Sequence, residues 1–100
     1  MLDLEWEDIA QDDLISIVVY IAMDNPRAAW ALKDEIEEKV SGLRKQPKIY
    51  KPGRVEGTRE IVVRENYIVV YKEDGFVVSV LRVLHAARSD AEYGVESKDE

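Results

Sequence analysis

The spacing of apolar residues changes period twice along the chain. Leu2, Leu4 and Trp6 alternate with Asp3, Glu5 and Glu7, which predicts a short, half-buried strand. The period then becomes helical. Leu14, Ile17, Val18 and Ile21 share one helical face, and Ile15 and Val19 thicken it, predicting a helix covered on more than one side. Asp8 is placed to cap this helix, while Asp12 and Asp13 suit the positive end of its dipole. Residues 15–21 are also β-branched and fit a strand; the acidic start and Ala22 favour the helix. Asp24-Asn25-Pro26 ends this helix and opens another, with Asn25 as N-cap and Pro26 at the first helical position. Ala29, Leu32, Ile36, Val40 and Leu43 form its apolar stripe, and Lys33, Asp34, Glu37, Glu38 and Lys39 its wet side. A join of two or three residues forces the two helices into an antiparallel hairpin. Leu14, Ile17, Val18, Ile21, Leu32, Ile36 and Val40 are expected to pack on one face of a sheet.

Residues 44–57 read as a loop, closed off from the second helix by Gly42 and Pro47. Strand patterns follow at about 58–65, 67–73 and 76–84, with a short turn at Glu65-Asn66 and a stronger hairpin signal at Asp74-Gly75. The latter predicts a type I′ turn with positive φ at both residues. Tyr67, Val69 and Tyr71 oppose Ile68 and Val70; Phe76, Val78, Val80, Arg82 and Leu84 oppose Val77, Ser79, Leu81 and Val83. Both faces are mostly apolar. The helix hairpin covers one, and the tail or a partner chain must cover part of the other. The expected class is α+β: an N-terminal strand, an antiparallel helix hairpin packed on a three- to four-stranded antiparallel sheet, and a short C-terminal segment. One domain spans residues 1–100, with at most a short helix after His85 and then a polar, frayed tail over about 89–100.

Composition narrows the classes. With 46% hydrophobic and 35% charged residues the chain is globular rather than disordered. It has no cysteine and one histidine, so disulfides are excluded and most transition-metal sites lack ligands; no cofactor is expected. The start lacks a basic region and a long apolar run, so neither a signal peptide nor a membrane span is expected, and the default location is cytoplasmic. The net charge of −7 is uneven: residues 1–43 carry −8, residues 44–72 carry +5 and residues 73–100 carry −4. The overall field repels nucleic acid, while the middle segment is a solvated face or a patch for a polyanion.

Residues 52–57, Pro-Gly-Arg-Val-Glu-Gly, match neither a dinucleotide fingerprint nor a phosphate loop, and no serine sits on a nucleophile elbow. What remains is one His, several Tyr and a set of bases. His85 at a strand end, with Arg54, Arg59, Arg82, Arg88 and Tyr93, has the residue types for RNA cleavage: a base for the 2′-OH, cations for the phosphorane and an acid for the leaving oxygen. The blander and favoured reading of His85 is a structural histidine hydrogen-bonded across the strand end.

Several words of this sequence resemble the RelE/ParE superfamily of toxins from bacterial type II toxin–antitoxin pairs. They are Asp13-Leu14, Ile17, Tyr20-Ile21-Ala22, Asp24-Asn25-Pro26 and Ala28-Ala29, then Pro52-Gly53-Arg54-Val55 and Gly57-Thr58-Arg59-Glu60-Ile61-Val62-Val63. Asn66-Tyr67-Ile68-Val69-Val70-Tyr71 and Val83-Leu84-His85-Ala86-Ala87-Arg88 complete them, over about residues 4–88. The resemblance implies the same strand, helix hairpin and meander, and a cognate antitoxin that wraps the toxin. RelE-like members cut mRNA on the ribosome; ParE-like members poison DNA gyrase. The nuclease branch carries two bases two residues apart on the first meander strand, here Arg59 and Ile61, and an Arg after the first Tyr of the next strand, here Ile68. His85-Ala86-Ala87-Arg88 looks like the ParE side, although Ser89 to Tyr93 and an acidic tail replace the aromatic-Pro ending common there.

The reading is therefore a ParE-like gyrase inhibitor, a binding protein rather than an enzyme. Arg54, Arg59, His85 and Arg88 are its target- or partner-binding candidates. One alternative is a ribosome-dependent endoribonuclease using Arg59, His85, Arg88 and Tyr93. Another is a non-toxic relative that only binds an antitoxin. Neither a membrane nor sequence-specific nucleic acid is expected as a partner.

Overall fold

The computed structural model describes residues 1–86. Strand β1 (Asp3–Trp6) leads into helix α1 (Asp8–Ala22) and helix α2 (Pro26–Gly42). Strands β2 (Arg59–Val63), β3 (Tyr67–Glu73) and β4 (Val77–His85) follow as a meander. The four strands form one sheet in the order β1-β4-β3-β2. The meander pairs are antiparallel, whereas β1 joins β4 in parallel, with Asp3 opposite Val77 and Trp6 opposite Val80. The sheet is thus mixed, because the helix hairpin returns the chain to the far edge before the meander begins.

Both helices form where the periodicity puts them, and their starts differ. Asn25 caps α2 as expected, its Oδ1 accepting from the Ala28 amide at 3.1 Å. At α1 the N-cap is Glu7 and makes no side-chain cap bond. Asp8 lies inside the first turn, where its carboxylate still faces the positive end of the dipole.

The main core lies between the hairpin and one sheet face. Leu14, Leu32, Ile36, Val40 and Leu43 meet Ile61, Val63, Val69, Tyr71, Val78, Val80 and Val83, with Ile17, Val18 and Ile21 packed at its margin. Ile15 and Val19 are not part of it; both are more than half exposed. The opposite face carries a smaller cluster of Ile68, Val70 and Leu84, with Leu81 and Ala86 against it. The expected short C-terminal helix falls outside the described residues.

Strand β4 switches phase. Val70 pairs with Arg82 but Tyr71 pairs with Val80, so Leu81 is an extra residue. Val78 and Val80 point to the helices before this bulge, and Val83 does so after it. The expected strict alternation along residues 76–84 therefore breaks at Leu81. Beyond Trp6 the strand β1 no longer covers β4, and α1 takes over. Asp13 accepts from the Val83 amide at 3.0 Å and holds Arg82 through Nε at 2.8 Å and Nη2 at 3.0 Å.

The turns also depart from expectation. At Asp74-Gly75 only Gly75 has positive φ, +92°. Asp74 instead turns its carboxylate onto the Phe76 and Val77 amides, both at 2.9 Å, and these bonds hold its pKa below the usual value. Between β2 and β3 it is Arg64 and Glu65 that adopt positive φ, 55° and 65°. The Asn66 amide closes that turn on the Val63 carbonyl, and Arg64 is anchored to Glu35 of α2 at 2.7 Å.

Candidate functional site

The basic loop between α2 and β2 is tied down at several points. The Tyr71 hydroxyl donates to the Pro47 carbonyl at 2.7 Å, and Arg59 Nη1 donates to the Tyr50 carbonyl at 2.6 Å. Burial raises the Tyr71 pKa, partly offset by the Arg59 guanidinium. Further along, Thr58 Oγ1 donates to the Val55 carbonyl and the Gly53 amide to the Thr58 carbonyl. Glu60, nearly buried, accepts from both the backbone amide and Nε of Arg54, at 3.1 and 3.3 Å. Gly53 makes this clasp possible: a Cβ there would stand 2.5 Å from Thr58 Oγ1 and 3.0 Å from Glu60 Cγ. A loop rich in lysine and arginine is thereby held as a fixed basic rim beside the sheet.

The sheet register distributes the candidate residues over two faces, since directly opposed residues share a face. Arg59 opposes Tyr71 and His85 opposes Tyr67, so both belong to the helix-covered side. They stand at opposite ends of β3, four residues or roughly 13 Å apart at strand rise. Arg59 also lines a pocket with Pro52, Gly57, Thr58 and Glu73. His85 sets its ring edge-on to Tyr67, with centroids 5.5 Å apart and an interplanar angle of 83°. Glu60 opposes Val70 on the other face and brings Arg54 with it. Arg82 is engaged by Asp13. Arg88 and Tyr93 lie outside the described residues.

The two positions where the nuclease branch carries cations, Ile61 and Ile68, fall on opposite faces of the sheet. Ile61 sits in the main core, and Ile68 in the cluster on the opposite face. The residue opposite Ile68 is Val62, and Glu60 lies two positions before it. The face that Ile68 occupies therefore carries Glu60, Val62, Ile68, Val70, Arg82 and Leu84 across its three meander strands. Its arginines are engaged by carboxylates: Arg54 by Glu60 and Arg82 by Asp13. Among the described residues no group of three His, Cys, Asp or Glu is placed to hold a metal ion.

Comparison with known proteins fits this architecture. The family model described as the ParE toxin of the type II toxin–antitoxin system, parDE, matches residues 4–90. The chain belongs to the ParE toxin family. A Sinorhizobium fredii protein (strain NBRC 101917 / NGR234) named for an inferred toxin role, Y4kP, is 34% identical over 84 residues. The match covers 83% of this chain and 86% of the relative. Among solved structures, the chromosomal ParDE system of P. aeruginosa matches with a TM-score of 0.77 at 22% identity, over 85% of this chain and 96% of that one. The RelBE2 toxin–antitoxin complex of Mycobacterium tuberculosis matches with a TM-score of 0.57 at 27% identity, over 84% and 90%. The E. coli DinJ–YafQ complex matches with a TM-score of 0.53 at 21% identity, over 86% and 93%.

In this ParE-family chain two structurally decisive acids were not evident from sequence. Glu60 stands six residues after Arg54 across a glycine turn, a spacing with no local signature. Asp13 reads as one of several acids near a helix start, and its partner is 69 residues away. No helix among the described residues is long and apolar enough to cross a membrane.

Proposed function

We propose that this toxin acts in the cytoplasm by binding and inhibiting DNA gyrase, and that a cognate antitoxin neutralises it. The observation that carries this reading is the face around Ile68. RNA cleavage needs cations fixed at the scissile phosphate, and losing one such preorganised donor typically costs about 10²–10³ in rate. Here Ile68 and its neighbour Val62 are apolar, Ile61 is buried in the core, and Arg54 and Arg82 on that face are held by Glu60 and Asp13. Arg59 and His85, the remaining candidates for such chemistry, stand roughly 13 Å apart along β3, and Arg59 is held on the Tyr50 carbonyl. The fixed basic rim, with Arg54 and Arg59, suits an acidic protein surface through charge-assisted hydrogen bonds. The toxin–antitoxin complexes of similar fold support an antitoxin partner.

Two assays run in parallel test the reading. The purified chain is expected to inhibit supercoiling by gyrase, with inhibition lost in Arg88→Ala. It is expected to leave a defined mRNA intact in the A site of translating ribosomes. Cleavage that disappears in Arg59→Ala or His85→Ala would promote the endoribonuclease reading instead. A chain that binds its antitoxin yet affects neither target would be the non-toxic relative.

A further inference from the structure

An open cleft of about 530 Å³ lies where the residues before β1, the turn after α2 and the β3–β4 turn meet. Leu2, Arg44, Lys45, Pro47, Lys48 and Glu73 line it, while Arg54, Arg59 and His85 do not. Its volume falls within the roughly 300–1,000 Å³ of small-molecule sites. Hydrogen bonds fix its walls. The Leu2 amide donates to the Arg44 carbonyl at 3.0 Å, and Arg44 Nε donates to the Leu2 carbonyl at 2.8 Å. The Asp3 amide donates to the Phe76 carbonyl at 3.0 Å, tying the same strand to the β3–β4 turn. The Tyr71 hydroxyl holds the Pro47 carbonyl at 2.7 Å. A cleft built this way needs little ordering when a ligand enters.

The lining has three chemically distinct parts. Arg44 is anchored only through Nε, so both Nη groups lack a partner among the described residues. An arginine held in this way presents a fixed fork of donors, which matches a phosphate. Lys45 and Lys48 are exposed beside it, and neither is in an ion pair among the described residues. On another wall, Glu73 accepts from the Gly75 amide at 3.0 Å through Oε1, which leaves Oε2 for a hydroxyl donor. A carboxylate in an otherwise cationic cleft penalises a bare anion and favours one that also carries hydroxyls, as a ribose does. Leu2 and Pro47 supply an apolar wall against which a ring can lie. The chain's net charge of −7 disfavours a long polyanion, which must pass acidic surface beyond the cleft, but not a ligand of the cleft's own size.

We propose that this cleft binds a ribonucleoside phosphate. Arg44, Lys45 and Lys48 take the phosphate, Glu73 accepts from the ribose hydroxyls, and the base lies against Leu2 and Pro47. The site is separate from the basic rim around Arg54 and Arg59, so it gives the protein a small-molecule input that does not depend on its macromolecular target.

The test is isothermal titration of the full chain with ADP, 2′,3′-dideoxy-ADP and inorganic pyrophosphate. ADP is expected to saturate one site with a Kd below about 100 μM. Arg44→Gln, and separately Lys45→Gln with Lys48→Gln, are each expected to weaken ADP about tenfold or more. The lysine pair is exposed, so its replacement leaves the fold intact even where Arg44→Gln disturbs the contact with Leu2. Dideoxy-ADP is expected to bind several-fold more weakly than ADP to the wild type and equally to Glu73→Ala, which isolates the hydroxyl contact. No saturation by ADP up to about 1 mM, or ADP binding that the lysine pair variant retains within twofold, would overturn the proposal. Pyrophosphate binding as tightly as ADP would mean an adventitious ion only, and equal binding of ADP and dideoxy-ADP by the wild type would overturn the ribose assignment. A single-stranded oligonucleotide that displaces ADP at far lower concentration would give the cleft to nucleic acid and overturn the proposal.

Discussion

Removing the Asp13 carboxylate should cost more than removing the arginine it holds. Asp13 accepts three bonds: two from the Arg82 guanidinium and one from the Val83 amide. Its side chain is 16% exposed and that of Arg82 is 23% exposed. In Asp13→Ala, Arg82 can turn outward and recover hydration, so the loss of its two bonds is discounted to about 1 kcal/mol. The Val83 amide has no such escape, because Val83 is 2% exposed and sits where β1 has ended. An orphaned buried amide costs about 1–3 kcal/mol. The total is about 2–4 kcal/mol. At roughly 4–8 °C per kcal/mol for a domain this size, melting should fall by on the order of 10 °C or more. Arg82→Ala leaves Asp13 its bond to Val83 and should cost only about 1–2 kcal/mol. Urea melts followed by far-UV circular dichroism measure both, and the double variant gives their coupling. An Asp13→Ala loss below about 0.5 kcal/mol, or one no greater than that of Arg82→Ala, would refute the reasoning.

Two further outcomes follow from burial. Leu32, 1% exposed between the hairpin and the sheet, should lose about 2–5 kcal/mol on truncation to Ala in a denaturant melt. Tyr71 has a folded pKa raised above its ordinary value of 10.0 chiefly by burial, so folding favours the protonated phenol. That contribution is full below pH 10 and declines as pH rises through the folded value. Melting temperatures of wild type and Tyr71→Phe compared from pH 9 to pH 11 should show the alkaline loss in the wild type and a weaker one in the variant.

Helical stripes were the most readable part of the chain. Leu14, Leu32, Ile36 and Val40 announce their burial by spacing alone, because a helix repeats often enough to fix its phase. Strand phase was less secure. Residues 77–84 are nearly all apolar, so nothing local marks Leu81 as the extra residue. A two-residue turn at Glu65-Asn66 would place Ile61 on the same face as Ile68. The actual positive-φ pair is Arg64-Glu65, and three residues separate Val63 from Tyr67. That one-residue slip moves Ile61 into the core and puts Val62 opposite Ile68. The parallel pairing of β1 was beyond reach for another reason: Leu2, Leu4 and Trp6 say strand but do not name a neighbour. Of the candidate residues, Arg54, Arg59 and His85 were found as types, while their separation over two faces required the register. Ile15 and Val19 were misplaced because apolar character alone does not distinguish a buried helix face from an exposed one.

The pairing of β1 with β4 also governs when the fold can exist. Asp3 is made first and waits for Val77, 74 residues later in the chain. Until then β1 has no neighbour, Asp13 has no amide to hold, and the buried side of α1 faces water in place of β4. Closing so large a loop yields its contacts only at the end, as in any chain dominated by distant pairings. A nascent or prematurely ended chain lacking residues 77–85 is left with an uncovered hairpin and a two-stranded remnant, too little sheet to hold itself together. Synthesis therefore delivers this toxin in one late step, with no partial form preceding it.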